Sequence, residues 1–574
     1  MAKWIINEKV NTVYKGPVKA PVAILDIMQR RGVSEEKFED FLSSSPRATY
    51  DPFLLTDLRQ TAELLLTASD EGRRICVFGD YDADGVTSTA LLVSVLRNFT
   101  DNLTFHIPSR FEEGYGLNSS VLDKLKSDGV DLIITVDCGS TSPDEVEHAK
   151  NIGLDIVITD HHTVSGRTPD CLFVNPKREG DKYPFKELSG CGVAFKLAQG
   201  ILRICRERGD SRFIRDDLNN TLDLVAISTV ADVVSLTDEN RSLVKYGLRY
   251  INARKRKGLK ILLDALELDE KELSSENIAF IIAPHINALG RMRSASVGVD
   301  LLLGELPENE LKKLAQIMVE NNIARKNVQD ETKRICLEAL SGGNCGENFP
   351  VILAPDAHEG VAGIVAGNLK ESMYRPVVIA TRTKRGVLKG TGRSVPGLNM
   401  HELLSECFDL FLKFGGHAGA CGFSISEENL PVLRARMQLA MERKLMENPD
   451  LLTEKIQIEK ILDSEEKTLE FAESLKLLEP YGEGNPKPLF AITDAEVVNV
   501  FKMGPEGQHA RFTLRGKDNI YVECVLFRRA DDFSDLLKKR NIISVAGELS
   551  VNEYNGKRLQ FIVSDIKGED YDQN

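Results

Sequence analysis

The sequence predicts a multidomain α/β protein: a mostly parallel-sheet domain, a long connecting helix, a smaller α/β domain and a C-terminal β-barrel. Three patterns predict it. Between residues 56 and 175, short apolar runs alternate with stretches of helical periodicity, which is how right-handed βαβ crossovers read. Residues 307–340 carry Lys, Glu and Leu at helical spacing. Beyond about 455 the pattern changes to short β-type runs.

The 574 residues allow about three to four domains. With 42% hydrophobic and 28% charged residues, the composition is that of an ordinary globular chain with ample core material. No apolar run approaches the ~18 residues of a membrane span, and the first residues lack the zones of a signal peptide. A cytoplasmic protein is expected. Its ten cysteines are scattered, with no Cys-x-x-Cys pair, so reduced buried thiols are expected rather than disulfides. The net charge of −14 counts weakly against a bulk nucleic-acid binder, but basic residues can still line one groove.

Residues 1–48 mix short helical signals (21–30 and 35–42) and read as an N-terminal arm. The first large domain spans 49–305. Its first strand, Ile75-Cys76-Val77-Phe78, runs into Gly79-Asp80-Tyr81-Asp82-Ala83-Asp84-Gly85, and a helix is expected from about 86 to 98. Three carboxylates at alternate positions thus fall just past a strand's carboxyl end, where open α/β sheets bind ligands. Carboxylates this close repel unless a cation sits among them, although a solvated acidic turn reads the same way in isolation. Further strands are expected at 103–108, 132–137, 156–160 and 172–175. Two end in polar clusters, Asp137-Cys138-Gly139-Ser140 and Asp160-His161-His162. Three strands delivering acids or histidines to one sheet edge favour a metal site over half-buried loop residues. Asp232, embedded in Val230-Ala231-Asp232-Val233-Val234, is costly unless paired, capping or metal-bound.

Together these segments resemble the DHH phosphoesterase superfamily, whose name is the triplet Asp160-His161-His162. Pro108-Ser109-Arg110 with Gly114-Tyr115-Gly116 resembles its second motif. Four more segments are similar to those of the superfamily's single-strand-specific 5′-to-3′ exonucleases: Val174-Asn175-Pro176, Leu188-Ser189-Gly190-Cys191-Gly192-Val193-Ala194-Phe195, Asn287-Ala288-Leu289-Gly290-Arg291-Met292 and Gly415-Gly416-His417-Ala418-Gly419. One departure is His285, where that pattern leads one to expect arginine.

The resemblance implies a DHH domain, a DHHA1-type substrate-binding domain and a C-terminal OB-fold. It also implies two divalent ions, Mn²⁺ or Mg²⁺, held by Asp80, Asp82, Asp84, Asp137, His161 and Asp232. Asp137 would bridge, with Asp82 on the first ion and Asp84, His161 and Asp232 on the second. Asp80 would stand beside the first, directly or through a neighbour. Such ions activate water and offset charge during in-line attack, and a carboxylate-rich set with imidazole suits these metals. Catalytic roles fall to Asp82, Asp84, Asp137, His161 and His162, with His162 meeting the phosphate and Asp160 orienting the histidines.

The connecting helix is assigned to 306–345 and the second α/β domain to 346–455. Strands are expected at 350–354 and 376–380, with a helix at 363–370. In Leu388-Lys389-Gly390-Thr391-Gly392-Arg393-Ser394 the glycines permit close backbone approach. Thr391, Arg393 and Ser394 offer donors for a terminal phosphate, unless 391–392 is only a turn and the arginine only an ion pair. Arg110, Tyr115, Arg291 and His417 complete the implied substrate residues.

Residues 456–574 form the last domain, opening with a turn-rich linker, Glu479-Pro480-Tyr481-Gly482-Glu483-Gly484-Asn485-Pro486. Strands follow at 489–492, 496–501, 510–514, 521–527, 542–549 and 558–563, the last two joined by an Asn555-Gly556 hairpin. Such barrels grip single strands through basic grooves and stacking. Candidates are Phe501, Lys502, Phe512, Arg528, Arg529, Tyr554 and Arg558, most of the aromatics reading as core rather than stackers and Tyr554, beside a turn, as the better candidate. The basic run Arg254-Lys255-Arg256-Lys257 reads as a solvated helix end before it reads as a nucleic-acid contact.

The expected function is therefore a metal-dependent exonuclease that hydrolyses single-stranded DNA from the 5′ end to mononucleotides, in repair and recombination. It is expected to be a monomer and to work with single-stranded DNA. A single-strand-binding protein and a RecQ-type helicase are the partners the resemblance implies. The competing readings are a short-oligonucleotide hydrolase or pyrophosphatase of the same superfamily, and a non-enzymatic single-strand-binding scaffold.

Overall fold

The structure is a computed structural model; it describes residues 2–568 apart from 8–13, 15, 17, 44–48, 110–112, 115, 165, 293, 344 and 384–385. Its first sheet has five parallel strands in the spatial order Leu103–His106, Ile75–Phe78, Leu132–Thr135, Asp155–Thr159 and Leu172–Val174. The chain enters at Ile75–Phe78, steps outward to Leu103–His106, then returns to the other side at Leu132–Thr135. Strand order therefore reverses between Ile75–Phe78 and Leu132–Thr135, and a crevice opens at their carboxyl ends. Both strands are buried throughout, as expected for a parallel sheet covered on both faces. Ile75 and Val77 face one apolar core with the Leu58–Asp70, Ala83–Leu96 and Gly190–Arg208 helices. Cys76 and Phe78 face the other, with Ser119–Ser127 and Pro143–Asn151.

The helix after the acidic turn starts at Ala83, three residues earlier than its apolar pattern suggests. The reason is a cap: the Asp82 carboxylate accepts the N–H groups of Asp84 and Gly85. Two of the three acids thus lie in the helix's first turn, not in a free loop.

The connecting helix runs over Glu308–Ser341. It packs on the Lys257–Ala265 and Ala283–Met292 helices and, further along, on Glu359–Met373. The second sheet has the order Phe411–His417, Ala420–Ile425, Leu388–Arg393, Val377–Arg382 and Val351–Leu353, antiparallel except for the last pair. Thr391 and Gly392 are strand residues, not a turn.

The C-terminal strands Phe490–Met503, His509–Arg515, Tyr521–Leu526, Arg558–Gly568 and Ile542–Asn552 close into a five-stranded barrel. The two runs expected at 489–492 and 496–501 are a single strand. It bends at Asp494, whose φ is 50°, and its pairing with Ile542–Asn552 shifts register between Ile492 and Ala495. The hairpin connection runs over residues 553–557 between the paired Asn552 and Arg558, and it holds Asn555 and Gly556 at positive φ, a longer loop than the two-residue turn that Asn-Gly signals.

Two expectations about the chain's organisation change. The N-terminal stretch is no free arm. Ile24, Leu25, Ile27 and Met28 of the Val22–Arg30 helix, together with Phe38, share one core with Phe490, Phe512 and Phe561 of the barrel, and Lys3–Ile6 pairs in parallel with Lys455–Ile458. An apolar stripe at helical spacing must be covered, and the barrel covers it. The 479–486 stretch is likewise no loose linker. Arg241, buried, donates to the carbonyls of Leu477, Leu478, Glu479 and Phe41 with its guanidinium 3.7 Å from the Phe41 ring centre. Replacing Arg241 by Ala is expected to cost on the order of 3 kcal/mol. A urea unfolding curve with an unchanged midpoint would remove Arg241 as the keystone of this junction.

Candidate metal and phosphate site

Asp80, Asp82 and Asp84 follow the Ile75–Phe78 strand, Asp137 follows Leu132–Thr135, and Asp160, His161 and His162 follow Asp155–Thr159. Asp232 stands at the end of the Leu222–Ala231 helix. The fold converges these four segments. Asp80, Asp82 and Asp137 bring ligand atoms within 4.8 Å of one another, and so do Asp84, His161 and Asp232. His161 Nε2 lies 3.2 Å from Asp137 Oδ1, 3.5 Å from Asp232 Oδ2 and 3.6 Å from Asp84 Oδ2, so the two groups adjoin at Asp137.

Neighbouring residues hold each group in place. Asp84 receives the N–H groups of Gly190 (2.7 Å) and Cys191 (2.8 Å) at the start of the Gly190–Arg208 helix, plus the Ser228 hydroxyl (2.6 Å). Asp160 accepts the N–H groups of Ser140, His161 and His162 and meets His162 Nδ1 at 2.8 Å. Asn175 donates to the Ser140 hydroxyl and the His162 carbonyl. Asn287 Oδ1 accepts the Ala83 N–H at 2.7 Å. A Cβ on Gly290 would stand 2.4 Å from the Tyr81 carbonyl oxygen, so the glycine lets its helix lie against the acidic turn.

The electrostatics call for a cation. Burial and the charges of Asp84, Asp82, Asp80 and Asp232 push Asp137 well above the usual carboxylate range. Burial, with Asp84 and Asp82, carries Asp232 up to about 8. Burial pulls His161 down, leaving a neutral imidazole able to ligate. Burial opposes the Asp160 anion, but the hydrogen bond and charge of His162 outweigh it and hold Asp160 well below its ordinary value. Burial also opposes the His162 cation, and Asp160 overrides it to carry His162 up to about 9. Asp137 Oδ1 and both His161 ring nitrogens are buried without a hydrogen bond. The 3.2 Å approach of Asp137 to His161 is close but not aligned as one. Crowded carboxylates beside unbonded buried donor atoms fit hard divalent ions such as Mn²⁺ or Mg²⁺.

Some of these supports carry a sequence signal and others none. Asn175, Gly190, Asn287 and Gly290 lie in motifs whose local roles composition does not reveal. Ser228 is one of three polar residues in a mostly apolar helix, with Asp223 and Thr229, and offers no signal that sets it apart. A Cβ on Gly190 would fall 2.6 Å from the Asp137 Cβ. Gly190→Ala should therefore displace Asp137 and lower activity about tenfold or more; a wild-type rate from the folded variant would remove this role.

The implied substrate residues divide. Arg110 and Tyr115 lie outside the described residues. Arg291, Thr391 and Arg393 line one cavity of about 520 Å³ between the Glu359–Met373 helix and the second sheet, with Gly360, Gly363 and Lys389, and Arg291 reaches it from the Ala283–Met292 helix. Arg291 donates to the Gly360 carbonyl at 2.7 Å. Gly363 leaves room for Arg393, whose Nη2 would sit 3.0 Å from an added Cβ. Arg393 donates to the Gly392 carbonyl and has no carboxylate partner among the described residues.

Ser394 and His417 do not line that cavity. The Ser394 hydroxyl donates to the Leu398 carbonyl, and the exposed His417 accepts the Gly419 N–H. His285 binds the Ile281 carbonyl and Asn322 of the connecting helix. In the barrel, Phe512 is core, whereas Phe501 and Tyr554 are 61% and 80% exposed. Arg528 and Arg558 are exposed, Lys502 pairs with Asp531, and Arg529 pairs with Asp532. Within the basic run, Arg254 and Arg256 bond backbone carbonyls and Asp223, so half of it is structural.

Three family models match the chain: DHH family, N-terminal domain, over residues 74–229; DHHA1 domain over 347–443; and RecJ OB domain over 458–565. The single-stranded-DNA-specific exonuclease RecJ of Salmonella typhimurium is 39% identical over 453 residues, 76% of this chain and 78% of that protein. Crystal structures of RecJ from Thermus thermophilus in complex with Mn²⁺ and with Mg²⁺ superpose with TM-scores of 0.80 and 0.74. Their identities are 30% and 29%, and they cover 99% of this chain and 80% and 79% of those chains. With its three domains matched in order and a relative this similar over most of both lengths, the chain belongs to the RecJ family.

Proposed function

We propose that the protein is a metal-dependent exonuclease hydrolysing single-stranded DNA from the 5′ end to mononucleotides, in repair and recombination. The observation that carries the reading is the pair of adjoining ligand groups, Asp80, Asp82 and Asp137 beside Asp84, His161 and Asp232. These residues would hold two divalent ions, Mn²⁺ or Mg²⁺, which supply an activated water and offset charge on the phosphodiester oxygens. His162, turned by Asp160 and carrying charge, donates to a phosphate oxygen. Asp160 and Asn175 keep that loop rigid, so the donor is oriented before substrate arrives.

Direction of attack follows from the second site. The 520 Å³ cavity presents the Arg393 guanidinium with the Thr391 hydroxyl and the Arg291 helix, a donor set for a 5′-terminal phosphate. The helix bearing Arg291 also abuts the acidic turn through Asn287 and Gly290, which fixes the spacing between the terminal phosphate and the bond that is cut. Phe501 and Tyr554, together with Tyr521 and Phe527, are exposed on the barrel and able to stack on bases. A small-molecule hydrolase has no use for such a barrel, and a passive scaffold none for the ligand groups.

By family resemblance, a single-strand-binding protein and a RecQ-type helicase are the proposed partners. A reducing cytoplasm suits ten unpaired cysteines, and no described helix is long and apolar enough to cross a membrane. The test offers a 5′-labelled single strand, a duplex, a dinucleotide and pyrophosphate with Mn²⁺. Mononucleotide release from the single strand alone is expected, and preferred hydrolysis of the dinucleotide or pyrophosphate would reject the reading.

A further inference from the structure

The 479–486 stretch does more than join two domains. Gly482 and Asn485 bond each other reciprocally, N–H to carbonyl, at 3.0 and 3.2 Å, closing a tight turn with Gly484 at φ +71°. Asn485 is 2% exposed. Its amide donates to the carbonyls of Leu478 and Pro480, and its oxygen accepts from Arg31. This rigid turn lies on the segment that follows Asp232. The Glu483 carbonyl accepts the Leu236 N–H at 2.7 Å. A Cβ on Gly484 would fall 2.2 Å from the Ser235 hydroxyl, and one on Gly482 2.7 Å from Leu236 Cδ1.

Between this contact and Asp232 lies Val233, at φ 56°. A β-branched residue in left-handed backbone is strained and persists only where its surroundings impose it. On one side the Leu222–Ala231 helix ends at Asp232; on the other, Leu236 is buried in the first domain's core and tied to Glu483. With both ends pinned, residues 233–235 have no freedom to relax, and the Asp232 carboxylate stays 3.5 Å from His161 Nε2.

We propose that the 482–485 turn is a positioning element for Asp232, through which the barrel-bearing part of the chain sets the geometry of the second ligand group. The inference rests on the reading of Asp232 as a metal ligand. Gly484 and Ser235 belong to neither ligand group; they act through the backbone that carries Asp232.

The test is a double-mutant cycle on the full chain: Gly484→Ala, Ser235→Gly and the pair. Calorimetry reads Mn²⁺ affinity without DNA, and steady-state kinetics read kcat and KM on a single strand. Gly484→Ala is expected to weaken Mn²⁺ binding and lower kcat by about tenfold or more, with KM within about twofold. Adding Ser235→Gly, which removes the obstructing hydroxyl, should recover part of both, the remainder being the left-handed backbone at φ +71° that alanine still strains. Gly482→Ala, which meets only the movable end of Leu236, gives a smaller loss of the same kind and serves if Gly484→Ala does not fold. Unchanged Mn²⁺ affinity and kcat in a folded variant would overturn the inference. So would losses shared equally by metal-free DNA binding and not relieved by Ser235→Gly, which mark general loosening. Asp232→Asn run alongside separates the two levels. If that variant binds Mn²⁺ like the parent, the ligand reading itself is wrong and the inference goes with it.

Discussion

Asp137→Ala is expected to lower Mn²⁺-dependent release of mononucleotides by on the order of a thousandfold or more, since several kcal/mol of charge stabilisation depend on the metal site. Asp137 is the residue at which the two ligand groups adjoin, so one substitution unsettles both. The fold should survive. Asp137 Oδ1 makes no hydrogen bond that alanine would forfeit, and its charge sits buried among those of Asp84, Asp82, Asp80 and Asp232. Removing it relieves repulsion in the metal-free protein, so the melting temperature in chelator should hold or rise. The rise on adding Mn²⁺, a binding linkage, should shrink. Near-native hydrolysis by this variant with Mn²⁺ would eliminate the assignment.

Arg393→Ala has the second largest expected effect, and it is selective. A guanidinium that binds a terminal phosphate makes charge-assisted hydrogen bonds worth roughly 1.5–3 kcal/mol each. Its loss should cut kcat/KM on 5′-phosphorylated strands by on the order of a hundredfold while sparing 5′-hydroxyl strands. The comparison of the two ends is the measurement. Equal losses on both would mean that Arg393 supports the sheet rather than the phosphate. Thr391→Val, which removes only a hydroxyl from the same cavity, should reproduce the preference change at smaller size.

Much of the catalytic domain is legible in the sequence because a parallel sheet writes itself plainly. Its strands are short apolar runs, and the polar residue that ends each run marks the ligand edge. Asp80, Asp82, Asp84, Asp137 and His161 all stand out in that way. The supports are harder to read. Gly190 and Gly290 matter through what a Cβ would strike, which depends on partners more than fifty residues away. Ser228 matters through a hydroxyl aimed at Asp84 from a helix whose other polar residues, Asp223 and Thr229, face different partners. Ser394 and His417 are suggested by motifs beside the second sheet, but Ser394 lies just past the Leu388–Arg393 strand and its hydroxyl turns to the Leu398 carbonyl. The bend at Asp494 resembles a break between strands, since an irregular residue in left-handed backbone looks the same as a turn until the partner strand is seen. The roles of 1–48 and 479–486 are hidden for a related reason: a short amphipathic helix and a Gly-rich turn both look detachable when the surface that covers them is hundreds of residues off.

The shared core of the first and last parts of the chain also sets an order of events during synthesis. Ile24, Leu25, Met28 and Phe38 leave the ribosome more than four hundred residues before Phe490, Phe512 and Phe561, which bury them. For most of translation the early helix has an uncovered apolar face, while the parallel-sheet domain, whose strands all lie between, can fold as a unit. The barrel must then capture a segment made more than four hundred residues before it. A barrel of this kind is expected to mature after the parallel-sheet domain, and chains cut short before residue 490 should present that early helix to chaperones.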